Sequence, residues 1–140
     1  MFVKYQVSKS FRFEAAHRMV KSYEGKCNNN HGHSWIVTLY MEGGKLDDKD
    51  MLIDFNEMKA LGRWIDENLD HATILWYKDP MVKFLEKDKN RVFVTKKNPT
   101  SEHLAEVILK KACDLFRNKT VKVAGIEVCE TCTAAAKIFL

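Results

Sequence analysis

Two imidazoles separated by a single glycine, His31-Gly32-His33, are the sharpest chemical feature of the chain. In a strand, residues two apart project from the same face, so this pair can chelate one metal ion. A third imidazole, His17, lies in phase with Phe11, Phe13 and Ala15 of an alternating run upstream. If the two runs pair as a hairpin, three neutral imidazoles meet at one rim. Three imidazoles with a vacant fourth position is the pattern of a catalytic zinc site and not of a closed structural one. Gly32 leaves the opposite face open to close packing. The competing reading is two surface histidines and one core histidine.

Cys27 stands four residues before His31 in a polar loop. A thiolate beside a divalent cation has a lowered pKa and can act as base or nucleophile. It can also be a fourth ligand, which closes the site, or a plain loop cysteine. Asp70-His71 reads as an acid-base pair at a helix end, or as charge dressing of that end. Glu130 shares strand parity with Ile126 and Val128, so its carboxylate is expected on the buried face. There it needs a partner. A guanidine-like ligand edge offers two N–H donors for its two oxygens, and a salt bridge to Lys or Arg is the alternative. Cys129 and Cys132 form a Cys-x-x-Cys, but in a strand-like run an odd separation puts the sulfurs on opposite faces, so the pair is read as structural. His103 is expected to be exposed and Cys113 a small buried filler.

The elements that position these groups follow from the apolar periods. Tyr5 to Phe13 alternates as a strand, and Lys21 to Asn30 is a loop. His33 to Glu42 is a second strand, closed by Gly43-Gly44 and Asp47-Asp48. Asp54 followed by Glu57 reads as a capping box, and Met58, Leu61 and Ile65 give a helical stripe ending near Leu69. Asp79-Pro80 starts a second helix, and Arg91 to Thr95 is a short strand. Asn98-Pro99-Thr100-Ser101 opens a helix with its stripe on Leu104, Val107, Ile108, Ala112 and Leu115. Val121 to Val128 is a strand with a phase slip at Ala124-Gly125, and a last strand-like run passes through Ile138 and Phe139. Two strands, helices and two strands predict an α+β fold: a four-stranded antiparallel sheet with two main helices on one face.

The chain has 140 residues, 46% hydrophobic and 30% charged, which predicts one soluble domain spanning 1–140. A net charge of +4 is too weak and too dispersed to argue for nucleic acid, and it suits an anionic small substrate. No window approaches ~18 apolar residues, and Met1-Phe2-Val3-Lys4-Tyr5 has no apolar signal core, so no membrane partner and a cytosolic location are expected. Cysteines are reduced there, which favours metal or thiol chemistry over disulfides.

Taken together, Phe13-Glu14-Ala15-Ala16-His17-Arg18, Cys27-x-x-x-His31-Gly32-His33, Met51-Leu52-Ile53-Asp54-Phe55, Leu69-Asp70-His71, Asn98-Pro99-Thr100-Ser101-Glu102 and Glu130-Thr131-Cys132-Thr133 resemble the 6-pyruvoyltetrahydropterin synthase superfamily, in its order and over nearly the whole chain. The resemblance implies the tunnelling fold, in which sheets of several subunits join into a barrel, as a trimer or dimer of trimers. It implies Zn2+ on His17, His31 and His33, with Cys27 as general base and Asp70 with His71 as proton relay. It also implies Glu130 as anchor of the pterin ring, with Thr100, Ser101 and Glu102 beside it. The three-residue gap between Cys27 and His31 resembles the 6-carboxytetrahydropterin synthase branch of queuosine biosynthesis. That branch implies a lyase acting on 7,8-dihydroneopterin triphosphate, with 6-carboxytetrahydropterin, acetaldehyde and triphosphate as products. Triphosphate elimination to a pyruvoyl product, or a non-catalytic zinc and pterin module, are the rival readings. Arg18, Lys21 and Lys26 are candidates for holding the triphosphate. Thr73-Ile74-Leu75-Trp76 and the long stretch from Lys78 to Lys97 depart from the family pattern at the pocket rim.

Overall fold

The computed structural model describes residues 1–117 and 119–140. Strand β1 (Tyr5–His17) and strand β2 (His31–Gly43) pair antiparallel over their whole lengths, with Tyr5 opposite Gly43 and His17 opposite His31. Both strands run further toward the histidines than their alternation alone indicates. Phe13 and Trp35, directly paired and both buried, stack with ring centroids 5.8 Å apart.

Strand β5 (Lys122–Thr131) joins the other side of β2, and β6 (Ala134–Phe139) closes that edge, both antiparallel. The phase slip is a bulge. Tyr40 pairs with Gly125 and Met41 with Val123, so Ala124 is the extra residue. A Cβ on Gly125 would lie 2.6 Å from the Ile138 carbonyl, so only glycine fits this close approach.

Beyond β1, strand β3 (Ala72–Trp76) and strand β4 (Val92–Thr95) both run parallel to their inner neighbours, giving the order β4-β3-β1-β2-β5-β6. This corrects the expectation of a four-stranded antiparallel sheet: it has six strands and is mixed. A strand covered on both sides reads as a short apolar run that cannot be told from a helix fragment. The long 78–97 stretch holds most of the crossover that parallel pairing demands, residues 77–91 with helix α2 (Met81–Lys87), and then β4 itself.

Helices α1 (Phe55–Asn68) and α3 (Ser101–Leu115) cover one face of the sheet. Met58, Leu61 and Ile65 from α1 and Leu104, Ile108 and Ala112 from α3 pack on Trp35, Val37, Leu39 and Ile126. In α3, Leu115 is exposed, and Leu109 and Phe116 take the core positions instead. Asp54 caps α1 by accepting from the Asn56 N–H at 2.8 Å. Glu57 does not complete the box but pairs with Lys119 at 2.8 Å. The Asp79 carboxylate accepts from Met81 N–H at 2.8 Å and so serves as the side-chain cap of α2. The other sheet face is polar around Ser10 and Thr38, whose hydroxyls lie 2.9 Å apart. Among the described residues, no helix is long and apolar enough to cross a membrane.

Candidate functional site

The hairpin register places His17 directly across from His31 and two pairs away from His33. All three rings project to the same side as Phe13 and Trp35, because they share strand parity with them. One nitrogen of each lies within 4.8 Å of the others, and this is the metal-capable cluster found among the described residues.

A backbone carbonyl orients two of the three rings. His17 Nδ1 lies 2.8 Å from the Pro99 carbonyl, and His31 Nδ1 lies 2.7 Å from the Asn29 carbonyl. A carbonyl can only accept, so each Nδ1 carries the proton and each Nε2 is left as a lone pair. Nε2 of His17 and of His33 is buried with no hydrogen-bond partner. An orphaned buried acceptor is costly unless something else satisfies it. Burial lowers the pKa of His17 and His33, so both are held neutral, the form that binds a metal. A divalent cation therefore fits these residues.

Glu130 is brought to the same point. Its Oε1 lies 3.2 Å from His17 Nε2 and 3.5 Å from His33 Nε2. It is not fully buried, and the basic side chains within 4 Å of its carboxylate are these imidazoles and not a Lys or Arg. Strand β5 ends just past it, so Cys132 sits in the β5–β6 turn, whereas the strand reading had carried the run on through it. Cys129 instead lies beside Glu127, with its sulfur 3.6 Å from the carboxylate. All four cysteines are unpaired.

Cys27 lies in a short 3-10 turn, Lys26–Asn28, in the loop that leads into β2. It is half-buried and outside the three-histidine cluster. The Tyr23 hydroxyl has its pKa raised, chiefly by a hydrogen bond with the Cys27 side chain.

Asp70 and His71 are placed elsewhere. They hydrogen-bond each other at 2.8 Å, which the left-handed His71 backbone (φ 57°) makes possible for adjacent residues. The other Asp70 oxygen accepts from Glu14 N–H at 2.9 Å, and that bond, more than His71, holds its carboxyl below the usual range. The His71 side chain is 78% exposed and is not one of the three clustered histidines. It lines an open cleft of about 470 Å³ with Glu14, Gly32, His33, Ser34 and Thr73. A Cβ on Gly32 would meet only the Ala15 carbonyl at 3.7 Å, so close packing within the chain does not demand this glycine; its bareness opens the cleft.

Thr100 is spent as the cap of α3, accepting from His103 N–H at 3.2 Å. Ser101 is half-buried and Glu102 exposed at the mouth of a second cleft that Lys21 and Asn98 also line. His103 is buried, contrary to expectation, because its Nδ1 turns back onto Glu106 at 2.8 Å. Arg18 is not free to hold an anion: its guanidinium is forked onto the buried Asp79 at 2.5 and 2.8 Å. Sequence reasoning missed the carbonyls of Pro99 and Asn29 and the Asn98 side chain. The only signal for the first was the Asn-Pro-Thr run, which reads as a helix start.

The family model described as 6-pyruvoyl tetrahydropterin synthase matches residues 6–139. The chain is 31% identical over 131 residues to a 6-carboxy-5,6,7,8-tetrahydropterin synthase of Rickettsia bellii, covering 89% of this chain and 92% of that one. An uncharacterized protein of Wolinella succinogenes superposes with a TM-score of 0.87 at 24% identity, covering 98% of both chains. A 6-pyruvoyl tetrahydropterin synthase of Caenorhabditis elegans superposes with a TM-score of 0.73 at 22% identity, covering 99% of this chain and 96% of that one.

Proposed function

The chain belongs to the 6-pyruvoyl tetrahydropterin synthase family and has its α+β tunnelling fold, and from that premise we propose that it is a zinc-dependent 6-carboxytetrahydropterin synthase. In this reading 7,8-dihydroneopterin triphosphate is converted to 6-carboxy-5,6,7,8-tetrahydropterin, acetaldehyde and triphosphate, a lyase step of queuosine biosynthesis in the cytosol, by one domain of residues 1–140. The observation that carries it is the convergence of His17, His31 and His33 on one point, with His31 four residues after a loop thiol. The curated relative named above supports the choice of branch. Incubating the purified protein with dihydroneopterin triphosphate and weighing the products tests it. A pyruvoyl product would move the chain to the other branch, and no turnover with zinc bound would make it a binding module.

His17 and His31 would hold the zinc through the nitrogens that the Pro99 and Asn29 carbonyls leave free, and His33 through its buried, unpartnered Nε2. When bound, zinc supplies Lewis-acid polarisation of the substrate's hydroxyls. Cys27 takes a proton from the carbon chain, and His71, kept in orientation by ionised Asp70, moves protons at the positions that leave. Glu130 holds the guanidine-like edge of the pterin with both oxygens, beside Thr100, Ser101 and Glu102. His31→Ala removes one of three ligands, so zinc content and turnover should fall together, as read by metal analysis of the purified variant. Full occupancy there would refute the ligand set.

Glu130→Gln keeps the shape and loses the charged acceptor. Pterin affinity should weaken by roughly 1.5–3 kcal/mol, the scale of a hydrogen bond to a charged group, with zinc retained. Unchanged affinity would leave Glu130 no part in binding the ring, and loss of zinc would make it a ligand.

His71 is exposed and stands outside the three-histidine cluster, which supports a site completed between subunits. The polar sheet face and the unpaired edges at β4 and β6 support the same reading, since a closed barrel removes edges. The homo-oligomer in this proposal is a trimer or a dimer of trimers.

A further inference from the structure

Cys27 sits midway along a loop that leaves β1 after His17 and returns at His31. Its turn is held locally, by Met19 N–H donating to the Cys27 carbonyl at 2.8 Å. That bond closes the loop on itself but does not fix it to the rest of the molecule. Asn98, 77 residues away, does so through one side chain. Its Oδ1 accepts the Lys21 N–H at 3.1 Å, and its Nδ2 donates to the Lys21 carbonyl at 2.7 Å. A single carboxamide thus reproduces the reciprocal pair of bonds that an antiparallel neighbour would supply.

The same residue also shapes the support of His17. The Asn98 carbonyl accepts from Thr100 N–H at 2.8 Å, a tight three-residue turn centred on Pro99. The proline ring fixes its own φ, so the turn has little freedom and presents the Pro99 carbonyl to His17 Nδ1. The backbone of Asn98 therefore serves the metal-binding rim, and its side chain serves the thiol loop.

We propose that Asn98 is a positioning residue that latches the Cys27 loop to the metal-binding rim, so that thiol and metal face the substrate in one fixed arrangement. This rests on the proposed function for the roles of Cys27 and the histidines. Asn98→Ala deletes both side-chain bonds and leaves the backbone turn, so it separates the loop from the rim without removing a ligand. Two net hydrogen bonds at ordinary strength correspond to about tenfold or more in local opening.

The test is amide hydrogen exchange on the zinc-loaded protein, joined to iodoacetamide alkylation of Cys27 and steady-state kinetics. In Asn98→Ala, exchange across residues 21–27 and alkylation of Cys27 should each rise about tenfold or more. Exchange in β2 and β5 and the zinc content should stay as in the wild type. The kcat should fall by up to ~10²-fold, as for a misplaced reacting group, with KM changed far less. Asn98→Asp keeps the acceptor for Lys21 N–H and loses the donor, so its exchange should lie between the two. Unchanged loop exchange overturns the latch. So does faster exchange throughout the sheet in both variants, which would make Asn98 an ordinary structural residue. If the wild type does not turn over dihydroneopterin triphosphate, the substrate assignment fails by itself, and the exchange and alkylation arms still decide the latch.

Discussion

Cys27→Ala is expected to keep its zinc and its fold and to lose on the order of 10²-fold or more of its turnover, the contribution of a removed general base. The thiol stands in the Lys26–Asn28 turn and outside the cluster formed by His17, His31 and His33. Its side chain therefore supports no strand, and His17 and His31 keep their carbonyl partners without it. Metal analysis and turnover on the same preparation check this together. Zinc lost with the thiol would make Cys27 a fourth ligand, closing the open position and leaving the proton removal without its base. Turnover within a few fold of wild type would remove Cys27 from the mechanism altogether.

The second large effect is a recovery. Cys27→Ala and His71→Ala are each expected to be nearly inactive alone, yet a mixture unfolded, combined in equal amounts and refolded should regain activity. The reason lies in where the Asp70–His71 pair points. It is bonded to β1 through Glu14, and His71 is exposed on a cleft beside Gly32 and His33, outside the three-histidine cluster of its own chain. If a neighbouring subunit supplies this pair, each site needs one intact Cys27 and one intact His71 from two copies. Random assembly in a closed ring then leaves about a quarter of the sites complete. A mixture that assembles and stays as inactive as its parents would mean that every chain builds its own site.

Much of the histidine cluster was legible in the sequence, because strand periodicity is a property of the backbone itself. A two-residue period fixes which side chains share a face, so His31 with His33, and His17 with Phe13, could be read without any tertiary information. The helix cap at Asp54 and the helix entry at Asn98-Pro99-Thr100-Ser101 were legible for a similar reason: side-chain oxygens satisfy N–H groups two or three residues away. The Gly125 bulge announced itself as a slip in the same alternation.

Only the tertiary structure decided what depends on distant chain meeting distant chain. Strands β3 and β4 add to the sheet in parallel, and a five-residue apolar run such as Ala72–Trp76 holds no record of its neighbours. His103 is buried and Arg18 is occupied because of Glu106 and Asp79, partners whose approach no local pattern encodes. Glu130 meets His17 and His33 because β5 lies beside β2. The support of the site is the least legible part. Backbone carbonyls at Pro99 and Asn29 carry no side-chain signature, since every residue has one, and their direction is set only when the loops are folded. Local geometry thus chose the groups that can do chemistry, and long-range packing decided which way they face and what holds them there.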